Sequence, residues 1–299
     1  MEKLVVSFSG GETSAYMCNW LLLNKSHEYD MKFIFANTGE EAEETLEFVD
    51  QCDKYFGLNV TWVEFDVVNE KPSFKQVNFQ TAYRSDNPIE VANGWQNHPF
   101  RKMIERQGIP NMENMICTRE LKEYPMNRYM SSIGWKPKDI TYAIGIRADE
   151  IDRAGKHYYP LIHADISKPL INAFWSKMPF RLGIKTYEGN CKTCWKKSFR
   201  KLATISVETP DWFQVFKRME SEFSEFTPAG RKDHKTYKAP HHFFREHKTV
   251  NDVFDIGKEE NFERAIDERH LTNYQVSILH DGTELDVTNG CEESCEVFS

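Results

Sequence analysis

The sequence Lys3-Leu4-Val5-Val6-Ser7-Phe8-Ser9-Gly10-Gly11-Glu12-Thr13-Ser14 stands near the start of the chain and decides its fold. Its apolar first half predicts a buried strand, and the apolar character of Ala15 to Leu23 predicts a helix packed on a sheet. Between them, residues 9–14 form a glycine turn whose backbone can approach an anion closely, with hydroxyl donors at the positive end of the helix. The sequence therefore predicts a phosphate site; an ordinary capped strand-to-helix turn is the alternative.

Further strands and helices alternate along the first half of the chain. Lys32 to Ala36, Asn59 to Phe65 and Ile140 to Ile144 read as strands, and Glu40 to Phe56 has apolar residues at helical spacing. This alternation predicts parallel βαβ units, hence an α/β fold with a doubly wound, mainly parallel sheet. Residues 69–114 have irregular apolar spacing and are predicted to form a loop and a helix over the strand ends, where such sheets bind ligands.

The second half of the chain has a different pattern. Lys168 to Met178 and Ser198 to Glu222 are predicted helices, and no strand alternation is evident after Glu150. We therefore divide the chain into a nucleotide-binding domain over 1–150 and a smaller, mainly helical region over 151–299. With 299 residues, of which 40% are hydrophobic, the chain can bury a sizeable core.

Composition limits the location and the partners. The chain has no apolar run long enough to span a bilayer and no secretory leader, so we expect a cytoplasmic protein without a membrane partner. Seven cysteines without a signal peptide favour metal or thiol chemistry over a disulfide scaffold. The net charge of −8 argues against nonspecific nucleic-acid binding, although a local basic site stays open.

Four motifs together resemble a known family. The segment Ser7 to Ser14 resembles the PP-loop of the adenine nucleotide α-hydrolase superfamily. After it come Asn37-Thr38-Gly39-Glu40, Cys117-Thr118-Arg119-Glu120-Leu121-Lys122 and Gly145-Ile146-Arg147-Ala148-Asp149-Glu150, in the order seen in the phosphoadenosine phosphosulfate reductase family. The resemblance covers about residues 3–205 and implies a HUP-like fold of PP-loop type. It implies an adenine nucleotide bound through its phosphate or sulfate by Ser7, Ser9, Gly10, Gly11, Glu12, Thr13, Ser14, Asn37, Thr38, Gly39, Gly145 and Arg147.

Two positions bear on whether ATP is cleaved. Many ATP pyrophosphatases of the superfamily have Asp where this chain has Thr13, which weakens the transfer of their ATP-cleaving activity. Asp149 and Glu150 are candidate magnesium ligands if ATP is cleaved, and caps of the next helix otherwise.

The cysteines suggest a metal centre. The two-residue gap of Cys191-x-x-Cys194 lets both thiolates reach one metal, and on its own it also fits a redox pair or half a zinc site. Cys117, 74 residues earlier, lies in a segment that resembles the first cysteine motif of the cluster-bearing reductases, which implies a 4Fe–4S cluster held by Cys117, Cys191 and Cys194. Thr118 stands where those reductases have a second cysteine, so the fourth ligand is open; zinc on the same thiolates is the alternative.

The chain ends in an acidic segment that contains Cys291 and Cys295. Assimilatory reductases of the family use a tail cysteine to attack the sulfonate sulfur, so the resemblance implies that Cys295 or Cys291 is catalytic, with Arg147 gripping the oxyanion and a thioredoxin-like electron donor. The tail signature Glu-Cys-Gly-Ile/Leu-His is absent, and the adjacent acids disfavour a thiolate, so a fourth cluster ligand or a solvated tail are alternatives.

The motifs leave three functions open. The first is a reductase or sulfotransferase that binds an adenylylated or phosphoadenylylated sulfate. The second is an ATP-dependent sulfurtransferase that modifies a nucleobase or nucleic acid through an iron–sulfur cluster. The third is a non-enzymatic nucleotide-binding module with a structural metal.

Overall fold

The computed structural model describes residues 1–85 and 94–267. These residues contain one five-stranded sheet. Its strands are β1 Glu2–Ser7, β2 Tyr29–Asn37, β3 Thr61–Val68, β4 Lys71–Val77 and β5 Ile140–Ala143. They are ordered β4-β3-β2-β1-β5. β1 pairs in parallel with β2 and β5, β2 pairs in parallel with β3, and β4 is antiparallel to β3. The predicted mainly parallel α/β sheet is confirmed.

Within the described residues, α-helices follow the strands in the first half of the chain and, with short 3-10 helices, are the regular elements of the second half. Their bounds are α1 Glu12–Lys25, α2 Glu43–Phe56, α3 Pro99–Gln107, α4 Tyr124–Ser132, α5 Pro160–His163, α6 Lys168–Trp175, α7 Phe199–Glu208, α8 Gln214–Phe223 and α9 Val250–Gly257. None of them, within residues 1–85 and 94–267, has the length and apolar character needed to cross a membrane.

Helices cover both faces of the sheet, which explains the continuous apolar run of β1. Leu4 and Val6 are fully buried in a cluster with residues of α1 and α2, whereas Val5 packs on the other face with Met126 and Met130 of α4. A central parallel strand buried on both sides needs apolar residues at every position rather than at alternate ones. The doubly wound arrangement is therefore also confirmed.

The edge strand β4 corrects the prediction for residues 69–114. That stretch was expected to hold only a loop and a helix, and the expectation is wrong for 71–77, although α3 does follow. Asn69 and Glu70 have φ of 50° and 62°, the left-handed values of a two-residue hairpin turn. Lys71 and Lys75 are exposed, so this edge strand lacks the apolar run by which the other strands were recognised.

Residues 151–267 contain helices and no strand, which is consistent with the predicted helical region, but one predicted helix is two. The stretch Ser198 to Glu222 breaks after α7, where Thr209 leaves helical geometry before Pro210, and α8 begins at Gln214. Helices α7, α8 and α9 share a hydrophobic cluster with α3. Leu161 and Trp175 instead lie in the cluster of α1 and α2. The division of the chain at residue 150 stays a prediction.

Candidate functional site

The glycine turn, residues 9–14, connects the carboxyl end of β1 to the start of α1, as the sequence predicted. The Ser9 hydroxyl donates to Ser14 Oγ at 2.8 Å, and the Ser14 hydroxyl donates to the Gly11 carbonyl oxygen at 3.0 Å. These bonds fix the turn beneath the first-turn N–H groups of α1, which have no acceptor inside a helix and are suited to an anion. Ser7, just before the turn, is fully buried, and its hydroxyl has no hydrogen-bond partner within the described ranges.

Gly10 is required by both its backbone and its surroundings. Its φ is 88°, and a Cβ at this position would lie 2.7 Å from Thr45 Cγ2. Left-handed backbone costs an L-residue about 1–2 kcal/mol, and overpacking a core costs a further ~1–3 kcal/mol. Gly10→Ala should therefore lower the free energy of unfolding by the sum of both, as measured by urea denaturation.

Gly57 supplies the control for this prediction. It ends α2 with φ 69°, and no atom lies within 4 Å of where its Cβ would stand, so Gly57→Ala should show only the backbone cost. Adding Thr45→Ser to Gly10→Ala removes the methyl group that clashes and should recover part of the loss. Equal destabilisation by Gly10→Ala and Gly57→Ala would show that the Thr45 contact is unimportant.

Arg147 reaches the glycine turn from the segment after β5. It is 7% exposed, and its Nη1 donates to Thr13 Oγ1 at 3.3 Å. Gly145 makes this approach possible, because a Cβ there would lie 3.1 Å from Ser14 Cα. The structure thus brings together a guanidinium and a phosphate-sized turn that are 134 residues apart in sequence.

The acids beside Arg147 are already paired. Its Nε lies 3.3 Å from Asp149 Oδ2, and its Nη2 lies 3.4 Å from Glu150 Oε1. Glu150 also pairs with Arg153 at 2.6 Å. Magnesium at Asp149 and Glu150 would have to compete with these ion pairs, and magnesium binding stays a prediction.

Asn37, Thr38 and Gly39 lie at the carboxyl end of β2, and their polar groups are engaged internally. Asn37 Nδ2 donates to Glu64 Oε1 at 2.7 Å, and the Thr38 hydroxyl donates to Glu41 Oε1 at 2.8 Å. Gly39 has φ 84°, and a Cβ would lie 3.1 Å from His98 and Tyr83. These contacts show what shapes the loop beside the glycine turn; whether the three residues also touch a nucleotide stays a prediction.

A buried ionisable network around this loop was not identified from the sequence. His98 Nδ1 accepts from the Phe100 N–H, so Nε2 carries the proton and donates to Glu40 Oε1 at 2.9 Å. Burial lowers the pKa of His98 and raises the pKa of Glu41. His98 precedes Pro99 in a stretch of sequence that matches no motif. Its partner Glu40 lies 58 residues away in sequence, so the local sequence does not indicate that His98 belongs to this network.

Glu12 is held at the start of α1. Arg181 Nε and Nη2 donate to its two carboxylate oxygens, each at 2.8 Å, and the Trp175 indole N–H donates to its carbonyl oxygen at 3.0 Å. An acidic residue in the first turn interacts favourably with the helix dipole. Glu12 therefore helps to set the start of the helix that would face the anion.

The cysteine turn, residues 190–197, packs against the glycine turn. Asn190 Nδ2 donates to the Ser9 carbonyl oxygen at 2.9 Å, and the Lys192 N–H donates to the Glu40 carbonyl oxygen at 2.9 Å. Lys192 and Lys197 are 1% and 2% exposed, and the Lys197 ammonium donates to the Cys191 carbonyl oxygen. Two buried cations and a thiol pair thus stand directly beside the predicted phosphate site.

The thiols fit part of a metal centre. A hydrogen bond to Cys194, together with burial, raises the pKa of the Cys191 thiol, so binding a metal there would release a proton. Cys117 is half-buried and packs against the cluster that contains Trp195. Among residues 1–85 and 94–267, however, no three His, Cys, Asp or Glu side chains are arranged to hold a metal ion. The pair supplies two ligands, and the three-cysteine centre stays a prediction.

The remaining four cysteines form two pairs, one in the core and one near the end of the chain. Cys18 and Cys52 are fully buried in the cluster of α1 and α2 and are therefore core thiols. Cys291 and Cys295, the predicted catalytic thiols, lie outside the described residues. Their catalytic role stays a prediction.

The fold and the turn geometry define the class of protein. A parallel sheet whose central strand ends in a glycine-rich turn at a helix start, on the edge where the strands end, is the arrangement of nucleotide-binding α/β proteins. The chain belongs to the phosphoadenosine phosphosulfate reductase family, because the model of the phosphoadenosine phosphosulfate reductase domain matches residues 3–174. It is also similar to the uncharacterized nin region protein ORF290 of Escherichia phage lambda, with 28% identity over 300 residues that cover 98% of this chain and 94% of that protein.

Proposed function

We propose that the protein is a cytoplasmic enzyme that binds an adenylylated sulfate or ATP at the glycine turn and acts in sulfur transfer or reduction. The observation that carries the proposal is the bond from Asn190 to the Ser9 carbonyl oxygen, which holds the Cys191–Cys194 pair against the turn. Sulfur chemistry on an adenylylated substrate needs a phosphate site and a thiol within reach of each other, and these two elements adjoin here.

The charges around the site suit an anionic substrate. Arg147 adjoins Thr13, and the Lys197 ammonium donates to the Cys191 carbonyl oxygen. The buried ammonium of Lys192, in the same turn, donates to Ser85 Oγ at 2.5 Å. In a site shielded from water such cations stabilise a transferring sulfonate or phosphate more strongly than they would in solution. Arg147 would hold the oxyanion while Cys295 or Cys291 attacks the sulfonate sulfur, which displaces the nucleotide and forms a thiosulfonate. A thioredoxin-like dithiol would then reduce the thiosulfonate, releasing sulfite and the free cysteine and becoming a disulfide itself.

The test is to incubate anaerobically prepared protein with ATP, adenylylsulfate and phosphoadenylylsulfate in separate reactions, each with a thioredoxin-type reductant. Sulfite from either sulfated nucleotide indicates a reductase. Pyrophosphate from ATP indicates the ATP-dependent sulfurtransferase. Nucleotide binding without either product would contradict the enzymatic proposal and leave a nucleotide-binding module.

Arg147 should contribute strongly to nucleotide affinity. A charge-assisted hydrogen bond is worth ~1.5–3 kcal/mol, so Arg147→Ala should weaken binding by roughly 10- to 150-fold in isothermal titration calorimetry. Arg147→Lys keeps the charge but loses the planar fork, and it should retain an intermediate affinity.

Arg153→Ala is the matched control for the Arg147 prediction. Arg153 pairs with the same Glu150, whereas the contact to Thr13 of the glycine turn comes from Arg147, so the Arg153→Ala substitution should leave nucleotide affinity nearly unchanged. A change below twofold in Arg147→Ala would place this residue outside the binding site.

A further inference from the structure

Residues 231–248, the basic segment, carry a charge opposite to that of the chain as a whole. The segment contains six Lys or Arg residues and two acids, a formal charge of +4, whereas the whole chain carries −8. Four further histidines can add to this charge when protonated. The segment lies beyond residue 174, where the family match ends, so the family's shared nucleotide site does not account for it.

The basic segment is anchored to the protein by its aromatic residues. Tyr237, Phe243 and Phe244 are buried, and the Tyr237 hydroxyl donates to the Ile109 carbonyl oxygen at 3.0 Å. The His241 ring stacks on Tyr237 with ring centres 3.9 Å apart.

Three lysines of the basic segment face the solvent. Lys232, Lys235 and Lys238 are all exposed, and the buried Tyr237 lies between the last two of them. Tyr237 anchors this stretch through its buried ring and its bond to Ile109, and the Lys238 ammonium donates to the Lys232 carbonyl oxygen at 3.1 Å, so the three charges lie together on the protein surface.

This surface continues to the cysteine turn. Arg245 Nη2 donates to the Lys197 carbonyl oxygen at 2.8 Å. The Arg245 guanidinium and the Lys248 ammonium lie 5.6 Å and 5.8 Å from the centre of the half-buried Phe199 ring. Lys196, Arg200 and Lys201 flank the same ring in sequence. The positive surface thus extends from the basic segment to the residues beside the thiol pair.

We propose that this surface binds the sugar-phosphate backbone of a single-stranded nucleic acid and directs it toward the cysteine turn. Proteins that bind single strands without sequence preference combine a row of positive side chains, which contact the phosphates, with aromatic rings on which bases stack. The exposed lysines and the Phe199 ring with its neighbouring cations supply both elements here. An unpaired strand is favoured over a duplex, because a nucleotide must leave the base stack to enter a site that lies at the ends of the strands of a sheet. The inference goes beyond the proposed function by naming a nucleic acid as a partner; the choice of an unpaired strand rests on the proposed site at the strand ends, and the binding test is independent of affinity for adenine nucleotides.

The test compares two triple variants of the full chain that change the net charge equally. Lys232→Gln/Lys235→Gln/Lys238→Gln removes the exposed lysines of the basic segment, and Lys54→Gln/Lys136→Gln/Lys138→Gln removes exposed lysines elsewhere. Binding of fluorescent single-stranded RNA and DNA of about 20 nucleotides is followed by anisotropy over a range of salt concentrations.

The first variant should bind about 10- to 100-fold more weakly at 0.1 M salt, and its slope of log affinity against log salt should fall by up to ~2, since each lost phosphate contact removes ~0.7. The second variant should bind as the unchanged protein does. Equal loss in both variants, no binding by the unchanged protein, or binding only to anionic lipid vesicles or to duplexes would each overturn the inference.

Nucleotide affinity separates this inference from the proposed function. The basic-segment variant should keep its affinity for adenine nucleotides in calorimetry, and a variant impaired at the glycine turn should keep its affinity for the oligonucleotide. Loss of both activities in the basic-segment variant would indicate misfolding, which circular dichroism and the melting temperature check directly. In that event the single variants Lys232→Gln, Lys235→Gln and Lys238→Gln carry the test, and an undiminished salt slope in all three overturns the inference.

Discussion

Replacing Gly11 with Val should abolish the binding of adenine nucleotides while the fold is retained. Gly11 has φ −92° and ψ 161°, an extended conformation that a β-branched residue adopts readily, so the substitution does not strain the backbone. A branched side chain inside the glycine turn would, however, keep phosphate oxygens away from the N–H groups at the start of α1. Isothermal titration calorimetry with ATP, adenylylsulfate and phosphoadenylylsulfate measures the loss, and the melting temperature checks the fold.

Gly230→Val is the matched control, because no atom lies within 4 Å of where its Cβ would stand. It makes the same chemical change on the surface and should leave nucleotide affinity unaltered. Unchanged affinity in Gly11→Val would rule out the glycine turn as the phosphate site. Loss of affinity with a large drop in melting temperature would instead assign to Gly11 the structural role that Gly10 has.

Replacing any one of Cys117, Cys191 and Cys194 with Ser should release bound metal from anaerobically purified protein. The prediction follows from the family resemblance of the two segments and from the contact between the thiols of Cys191 and Cys194. Metal sites commonly gather their ligands only as the metal binds, so we expect Cys117 to join the pair in metal-replete protein. Metal content is measured by elemental analysis, and thermal unfolding should shift downward in each variant.

The spectrum and two control substitutions complete that experiment. An iron–sulfur cluster gives brown protein with broad absorption near ~400 nm, whereas zinc leaves the protein colourless. Cys18→Ser and Cys52→Ser should leave the metal content unchanged, because both thiols lie in the cluster of α1 and α2. A structure of metal-replete protein with the Cys117 sulfur more than about 8 Å from both other sulfurs contradicts a shared centre, given metal–sulfur bonds of ~2.3 Å.

Most of the sheet could be predicted because its signals are local. Leu4, Val5 and Val6 are apolar at successive positions since β1 has neighbouring strands on both sides and helices on both faces, and the glycines that follow mark its end. The edge strand β4 could not be predicted in this way, because it pairs with β3 on one side only and its own lysines face the solvent. It therefore lacks the continuous apolar run that marks β1. The break at Pro210 carried a recognisable signal, since a helix seldom continues through the residue before proline.

The site could be predicted only where position along a strand determines location in space. Arg147 was expected near the glycine turn because parallel strands end at one edge of the sheet, and its contact with Thr13 agrees with that reasoning. Asn190 and His98 were missed because nothing in their local sequence indicates the distant partners Ser9 and Glu40. The hydrogen bonds of Asn37 and Thr38 to buried carboxylates could not be predicted either. A polar side chain at the end of a strand can contact either a ligand or the protein, and the sequence is the same in both cases.

The hydrogen bond between Asn190 and the Ser9 carbonyl oxygen gives the two turns a direct contact through which a movement of one can reach the other. If occupancy or oxidation of the thiols shifts the cysteine turn, the free energy of binding at the glycine turn changes with it. Linkage requires that a nucleotide then alter the affinity or reduction potential of the thiols by the same free energy. Nucleotide affinity would then depend on the state of the thiols, and the state of the thiols on the nucleotide. Titrating each ligand in the presence and in the absence of the other would give the same coupling free energy.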